Sequence, residues 1–302
     1  MSQPKRNKLI VIGGPTASGK TSLAIEIAKH FQTEILSADS RQCYKELNIG
    51  VAKPSQEELQ ATKHHFINSH SIQEEVTAGT FMRYGLDTLE NLFANKDVAI
   101  CVGGTGLYIN ALCKGLDEIP TVSNAVKNEM EMEYKERGLE WLQKEVKHLD
   151  PFYYKSIDTQ NPMRLLRGLI FFKSHNKSIL QFKRKKIAPR PFDIEYYAIQ
   201  MERDFLYKRI NNRVEQMMSL GLLKEVESLK QYSAIKALQT VGYKELFQHL
   251  DGNMTLEKAV DKIKQHTRNY AKRQITWFKN QGEFQYLSAE KIESHLKSTN
   301  CR

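Results

Sequence analysis

Eight consecutive residues, Gly14, Pro15, Thr16, Ala17, Ser18, Gly19, Lys20 and Thr21, fit the pattern G-x-x-x-x-G-K-[ST] at every fixed position. Their chemistry is phosphate binding. Between a strand and a helix, the backbone N–H groups of such a loop converge on phosphate oxygens at the helix N-terminus, where unpaired donors and the helix dipole both favour an anion. Lys20 would add a point charge at the outer phosphate, and the Thr21 hydroxyl would ligate Mg²⁺. A chance glycine turn is the competing reading, and the strand-loop-helix context argues against it. The motif predicts polyphosphate binding and leaves open ATP, another nucleotide or an organic diphosphate.

Three further residues could act on such a ligand. Asp39, at the end of an apolar run, could orient Mg²⁺ through water or accept a proton from an incoming nucleophile. Thr105 sits in a second glycine turn, Gly103, Gly104 and Gly106. Arg213 carries a planar guanidinium suited to bidentate phosphate contact. On spacing alone, an exposed ion pair with Glu215 or a neighbour is the stronger reading for Arg213.

Elements that would position these groups can be read from periodicity. Leu9, Ile10, Val11 and Ile12 form an apolar run before the loop, and Leu23, Ile25, Ile27 and Ala28 carry a helix after it. Residues 34–40 read as a second parallel strand, delivering Asp39 and Ser40 at the sheet edge where ligands bind in open α/β folds. A helix over 80–95 precedes 97–102, a short run apolar throughout, as in a strand buried on both faces. The glycine turn follows, and a helix opens at Leu107. Residues 195–200 return to the sheet. Residues 119–190 have a different character, with helical patterns over 126–134 and 139–149. From Arg203 on the chain is nearly all helix, with breaks at Gly221 and before Tyr243. The expectation is an α/β fold with a P-loop (NTPase-like) parallel sheet flanked by helices. Residues 1–118 supply the first part of the core, 119–190 an inserted helical subdomain, and 191–302 the return strand and helices that complete the core.

Composition excludes several classes. The 302 residues are 40% hydrophobic and 26% charged, as in an ordinary globular protein and not a disordered one. No stretch approaches the roughly 18 apolar residues of a membrane span, and no secretory leader is evident, so a cytoplasmic protein is expected. Cys43, Cys101, Cys113 and Cys301 have no C-x-x-C spacing, which predicts reduced, buried thiols and neither zinc nor disulfides. His64 and His65 are adjacent, and neighbouring strand residues point to opposite faces, so they cannot share a metal.

The net charge of +10 is unevenly spread. Residues 161–190 contain nine cations (Arg164, Arg167, Lys173, Lys177, Lys183, Arg184, Lys185, Lys186 and Arg190) and no Asp or Glu. A second stripe, Lys262, Lys264, Arg268, Lys272, Arg273 and Lys279, falls on one long helix. Such stripes fit a nucleic-acid surface, with a solvated basic face as the plain alternative.

Several strings, taken in order, resemble one family. Gly14 to Thr21; Ala38, Asp39 and Ser40 with Gln42 and Tyr44; Ile49 and Gly50; Ala52, Lys53 and Pro54; and Gly103 to Thr105 with Leu107 and Tyr108 are similar to the tRNA dimethylallyltransferases (tRNA isopentenyltransferases). Arg164, Leu165 and Arg167; Arg209, Ile210, Arg213 and Val214; Val241, Gly242 and Tyr243; and Ala271 to Trp277 extend the resemblance over nearly the whole chain. It implies transfer of a dimethylallyl group from dimethylallyl diphosphate to N6 of adenosine 37, in tRNAs reading codons that begin with U, giving N6-(dimethylallyl)adenosine and diphosphate. By the same resemblance the loop holds the diphosphate with Mg²⁺, Asp39 takes the N6 proton, and Thr105 and Arg213 stabilise the leaving diphosphate.

The implied tRNA contacts are Asp39, Ser40, Arg41 and Gln42; Met163, Arg164, Leu165, Leu166 and Arg167; Gln239, Thr240, Val241, Gly242, Tyr243 and Lys244; and Lys127. Val51 departs from the family's usual small hydroxyl residue before Ala52. No zinc finger of the eukaryotic members follows, so the bacterial type is implied. No long heptad seam is present, and a monomer is expected. A P-loop kinase remains the rival on the first motif, and a non-catalytic RNA binder the rival on charge.

Overall fold

The computed structural model of the protein describes residues 6–183 and 188–298, so Arg184, Lys185, Lys186 and Cys301 lie outside the described residues. The chain forms two compact units, one from residues 1–114 with 189–302 and the other from 115–188.

The larger unit opens with β1 (Lys8–Gly13), α1 (Lys20–His30), β2 (Ile35–Ser37), α2 (Gln56–Ala61), β3 (His64–His65), α3 (Ala78–Phe93), β4 (Val98–Gly103) and α4 (Gly106–Lys114). The smaller holds α5 (Asn124–Leu149), α6 (Pro151–Ser156) and α7 (Pro162–His175). The larger then resumes with β5 (Asp193–Ile199), α8 (Arg203–Ser219), α9 (Leu222–Ser228), α10 (Tyr243–Leu250), α11 (Leu256–Lys279), β6 (Gln285–Leu287) and α12 (Ala289–Ser298).

Six strands pair in parallel in the order β3-β2-β4-β1-β5-β6. Alternate residues supply two cores. Leu9, Val11, Leu36, Ala99 and Cys101 face a core shared with α3, α4 and α9 to α11, whereas Ile10, Ile12, Ile35, Ile100 and Val102 face α1 and α12. Burial on both faces explains why these strands read as apolar runs without alternation. The order also places the ends of β2, β4 and β1 side by side, so residues 39, 105 and 14–21 emerge at one edge of the sheet. Among the described residues, no helix is long and apolar enough to cross a membrane.

In the smaller unit, Met130, Leu142 and Val146 of α5 pack with Leu165, Leu166 and Leu169 of α7. Gly138, at φ 74°, breaks α5 into the two helical segments that the sequence pattern anticipates.

Cys43, Cys101 and Cys113 are buried and free. Burial, with the nearby Asp39 charge, pushes the Cys43 thiol up to about 12. These thiols therefore stay protonated and act as small apolar groups.

Candidate active site

The loop between β1 and α1 takes its shape from backbone conformations that few side chains tolerate. Gly14 and Gly19 have φ of 146° and 90°, and Ala17 is held at φ 62°. For a non-glycine residue that conformation costs of order 1–3 kcal/mol and persists only where its surroundings enforce it. Arg209 Nε donates to Ala17 O at 2.8 Å, which pins the strained residue from α8. The first turn of α1 then presents backbone N–H groups that have no intrahelical partners.

Ala17, Gly19, Lys20, Thr21, Arg209 and Arg213 share the lining of a polar cavity of about 380 Å³ with Lys53 and Glu58. Lys20 Nζ donates to Pro15 O at 2.6 Å. Burial, then the Arg213 charge, lowers the Lys20 ammonium to about 7, against the opposing pull of Asp39. Arg213 is itself lowered by burial, while Asp39 draws it the other way. Arg213 is therefore not the exposed ion pair that spacing favours, and Glu215 pairs instead with Lys264 of α11. Lys20 and Arg213, partly buried, with the more exposed Arg209, form a ready receptor for a di-anionic phosphate group.

Asp39 stands one strand away. Its Oδ1 accepts the N–H groups of Arg41 at 2.8 Å and Gln42 at 3.2 Å, and its Oδ2 accepts none from the described residues. The carboxylate is thus fixed by one oxygen and offers the other to a ligand. Thr105 Oγ1 accepts the Ser40 N–H at 3.1 Å, which ties the β4 turn to the residue after Asp39. Asp39, Ser40, Arg41 and Arg213 line a second cavity of about 240 Å³ whose remaining wall includes Val51, Ile210, Val214, Met217, Leu222 and Ile263. Arg213 and Ala52 border both cavities. Val51, the departure from the family pattern, belongs to this apolar wall.

Sequence reading missed the role of α11. Tyr270, Gln274 and Trp277 recur at helical spacing on one face and meet three successive positions of the glycine turn. Tyr270 reaches the Thr105 side chain. Gln274, buried, donates to Gly104 O at 3.0 Å and accepts the Thr16 N–H at 2.9 Å. Trp277 lies so close that a Cβ on Gly106 would fall 2.3 Å from its ring. The Thr16 N–H is thus committed to α11 and is not among the loop donors left open to a ligand. The string Ala271 to Trp277 signalled this region, but nothing in it named the partners.

Replacing Gln274 with alanine leaves two backbone groups without partners at roughly 1–3 kcal/mol each. We expect about 2–6 kcal/mol of destabilisation, read as a lower Tm by calorimetry; an unchanged Tm would dismiss Gln274 as the bracket.

The structure separates the other expected tRNA residues by exposure. Met163, Arg164, Arg167 and Lys127 are exposed on the smaller unit, whereas Leu165 and Leu166 are in its core, so their side chains are not surface groups. Tyr243 is likewise a core residue, its hydroxyl donating to Glu225, whose carboxylate also accepts the N–H groups of Ile49 and Gly50. The Gln42 amide donates to Ala52 O at 2.9 Å, and so anchors the loop that borders both cavities. Gln239, Thr240, Val241 and Lys244 line an outer cavity with Lys262 and Arg273, and Gly242 lines the inner one.

The basic stripe of α11 is not continuous. Lys264 binds Glu215, Arg268 donates to Asn211, and Lys272 lies over the Tyr207 ring. Arg190, counted in the first stripe, donates instead to the carbonyls of Leu112 and Ala111.

A family model described as IPP transferase matches residues 42–281. A tRNA dimethylallyltransferase of Flavobacterium johnsoniae is 46% identical over 277 residues, 90% of each chain. Another, of Christiangramia forsetii, is 44% identical over 290 residues, 96% of each chain. Among solved structures, the full-length tRNA isopentenylpyrophosphate transferase of Bacillus halodurans is similar, with a TM-score of 0.71 and 32% identity over 97% of this chain and 95% of that one. A eukaryotic dimethylallyltransferase acting on tRNA has a TM-score of 0.78 and 25% identity, over 98% and 76%.

Proposed function

The chain belongs to the IPP transferase family of tRNA dimethylallyltransferases, and from that premise we propose that it transfers a dimethylallyl group from dimethylallyl diphosphate to N6 of adenosine 37 in tRNAs reading codons that begin with U. The observation that carries this reading is the shared wall at Arg213, where a cationic cavity adjoins a largely apolar one lined by Asp39. A substrate with an anionic head and a short hydrocarbon tail matches that pair. A nucleoside triphosphate would put a polar sugar and base against Ile210, Val214, Met217 and Leu222, at a desolvation cost.

In the reaction the N6 lone pair forms a bond to C1 of the allyl group while the C1–O bond breaks and its electron pair leaves with the diphosphate. Lys20, Arg209 and Arg213 stabilise the charge that grows on the departing oxygens, and Asp39 takes the N6 proton through Oδ2. Fixed charges in a water-poor site act most strongly on charge that develops in the transition state. Thr105 holds Ser40, and through it the segment that carries Asp39.

The donors around the phosphate cavity suit a hard cation: the Thr21 hydroxyl and the Glu58 carboxylate are both oxygen ligands. Among the described residues, no group of three or more His, Cys, Asp or Glu could hold a metal. Thr21 would hold Mg²⁺, which would neutralise charge on the leaving group. The same reading takes the protein to act in the cytoplasm as a monomer.

Incubation of the protein and Mg²⁺ with unmodified tRNA, supplied with either dimethylallyl diphosphate or ATP, tests this by mass analysis of the nucleosides. A prenylated adenosine formed only with the diphosphate is expected. Phosphate release from ATP without a modified nucleoside would replace this reading with a kinase.

A further inference from the structure

The cavity that holds Asp39 and the outer cavity share a wall made of Thr240, Val241 and Tyr270. The outer one, about 480 Å³, is bordered by Lys244, Lys262 and Arg273. Among the described residues lining either cavity, Tyr270 is the one Phe, Tyr or Trp. It is 38% exposed although it stands on the long helix α11, while its hydroxyl end reaches Thr105 beside the Asp39 segment. The phenol end therefore lies beside the reacting residues, and the ring is partly open to an incoming group.

A nucleotide entering from outside has two parts with opposite needs. Its phosphates require cations, which the outer cavity supplies, and its base requires a flat apolar surface as it leaves the RNA stack. An exposed aromatic ring on a rigid helix meets that need for any base.

Resting on the tRNA reading above, we propose that Tyr270 is the platform on which the adenine of the extruded nucleotide stacks while its amino edge reaches Asp39 and its flanking phosphates lie against Lys244, Lys262 and Arg273. Burial, with the Asp39 charge, pushes the phenol up to about 12, so the ring stays neutral and does not repel RNA.

The test compares wild type, Tyr270→Phe and Tyr270→Leu. One readout is kcat/KM for tRNA; another is the fluorescence of an anticodon stem-loop carrying 2-aminopurine at the target position, which is quenched when that base stacks. Tyr270→Leu is expected to lose about 10- to 100-fold in kcat/KM and to leave the bound 2-aminopurine bright, with affinity for dimethylallyl diphosphate unchanged. Tyr270→Phe should stay near wild type in both. Equal behaviour of Tyr270→Leu and wild type would overturn the platform. So would a Tyr270→Phe loss as large as that of Tyr270→Leu, because the hydroxyl contact to Thr105 would then carry the effect. If Tyr270→Leu does not fold, Tyr270→Trp, with its larger face, should deepen the quenching, and unchanged fluorescence would overturn the proposal. Wild-type protein that leaves tRNA unmodified would sink the functional reading itself, before any variant is compared.

Discussion

Asp39→Asn and Asp39→Ala are both expected to lower single-turnover transfer by about 10²- to 10⁴-fold, the range a positioned general base contributes, with tRNA affinity changed only severalfold. The two variants separate chemistry from architecture. Asparagine keeps an oxygen to accept the N–H groups of Arg41 and Gln42 but cannot take a proton, whereas alanine loses both functions. If Asp39 is the base, the two should fall by similar factors; if its main role is to hold the 39–42 turn, asparagine should keep most of the activity. Binding is expected to survive because tRNA affinity rests mainly on phosphate contacts spread over many cations, and one carboxylate contributes little to that sum. Retention of turnover in Asp39→Asn would remove Asp39 as the base.

The ease with which Asp39 is found from sequence has a physical reason. It follows a strand that is apolar because both sheet faces are covered, and residues at such strand ends face the ligand edge. The phosphate loop and the glycine turn are legible in the same way, since each is punctuated by glycines between an apolar run and a helix. The two helical segments of the smaller unit were legible as well, from periodicity on either side of Gly138. Shorter pieces leave less trace: β3 shows only in the reading of His64 and His65 as strand neighbours, and β6, three residues with no apolar run before it, goes unread.

What the sequence hid most completely is pairing at long range. The amide of Gln274 meets the N–H of Thr16, 258 positions earlier, and no local pattern encodes that distance. The cations were misjudged for the same reason. A run of Lys and Arg counts charges without their partners, so Lys264, Arg268 and Arg190 read as free surface while the fold spends them on Glu215, Asn211 and the α4 carbonyls. Arg213 erred in the other direction, since its burial beside Lys20 follows only from the packing of α8 on the loop.

That burial sets the second large effect. Removing the Lys20 ammonium should weaken dimethylallyl diphosphate by about 2–5 kcal/mol, as for one partner of a buried charge pair, or roughly thirtyfold or more in Kd. Its pH dependence has a definite sign. In the free protein the Lys20 amine titrates near 7, because burial and Arg213 disfavour its charge more than Asp39 favours it; a bound diphosphate brings anions that restore the charge. Below pH 7 the proton is already present and binding takes up none at this site. Above pH 7 binding must capture one, so affinity falls as pH rises, by up to about tenfold per unit, in a range where the ligand's own phosphates are already ionised. Lys53, on the same cavity and lowered to about 8 by burial, can add a smaller uptake at pH 7.5 that grows as pH rises. Calorimetry at pH 7.5 in buffers of different ionisation enthalpy should therefore report net proton uptake for wild type and little for Lys20→Arg, whose guanidinium stays charged. Equal uptake by the two proteins would move the titration from Lys20 to Lys53, and unchanged saturation of Lys20→Ala by the prenyl diphosphate would mean that the loop serves another ligand.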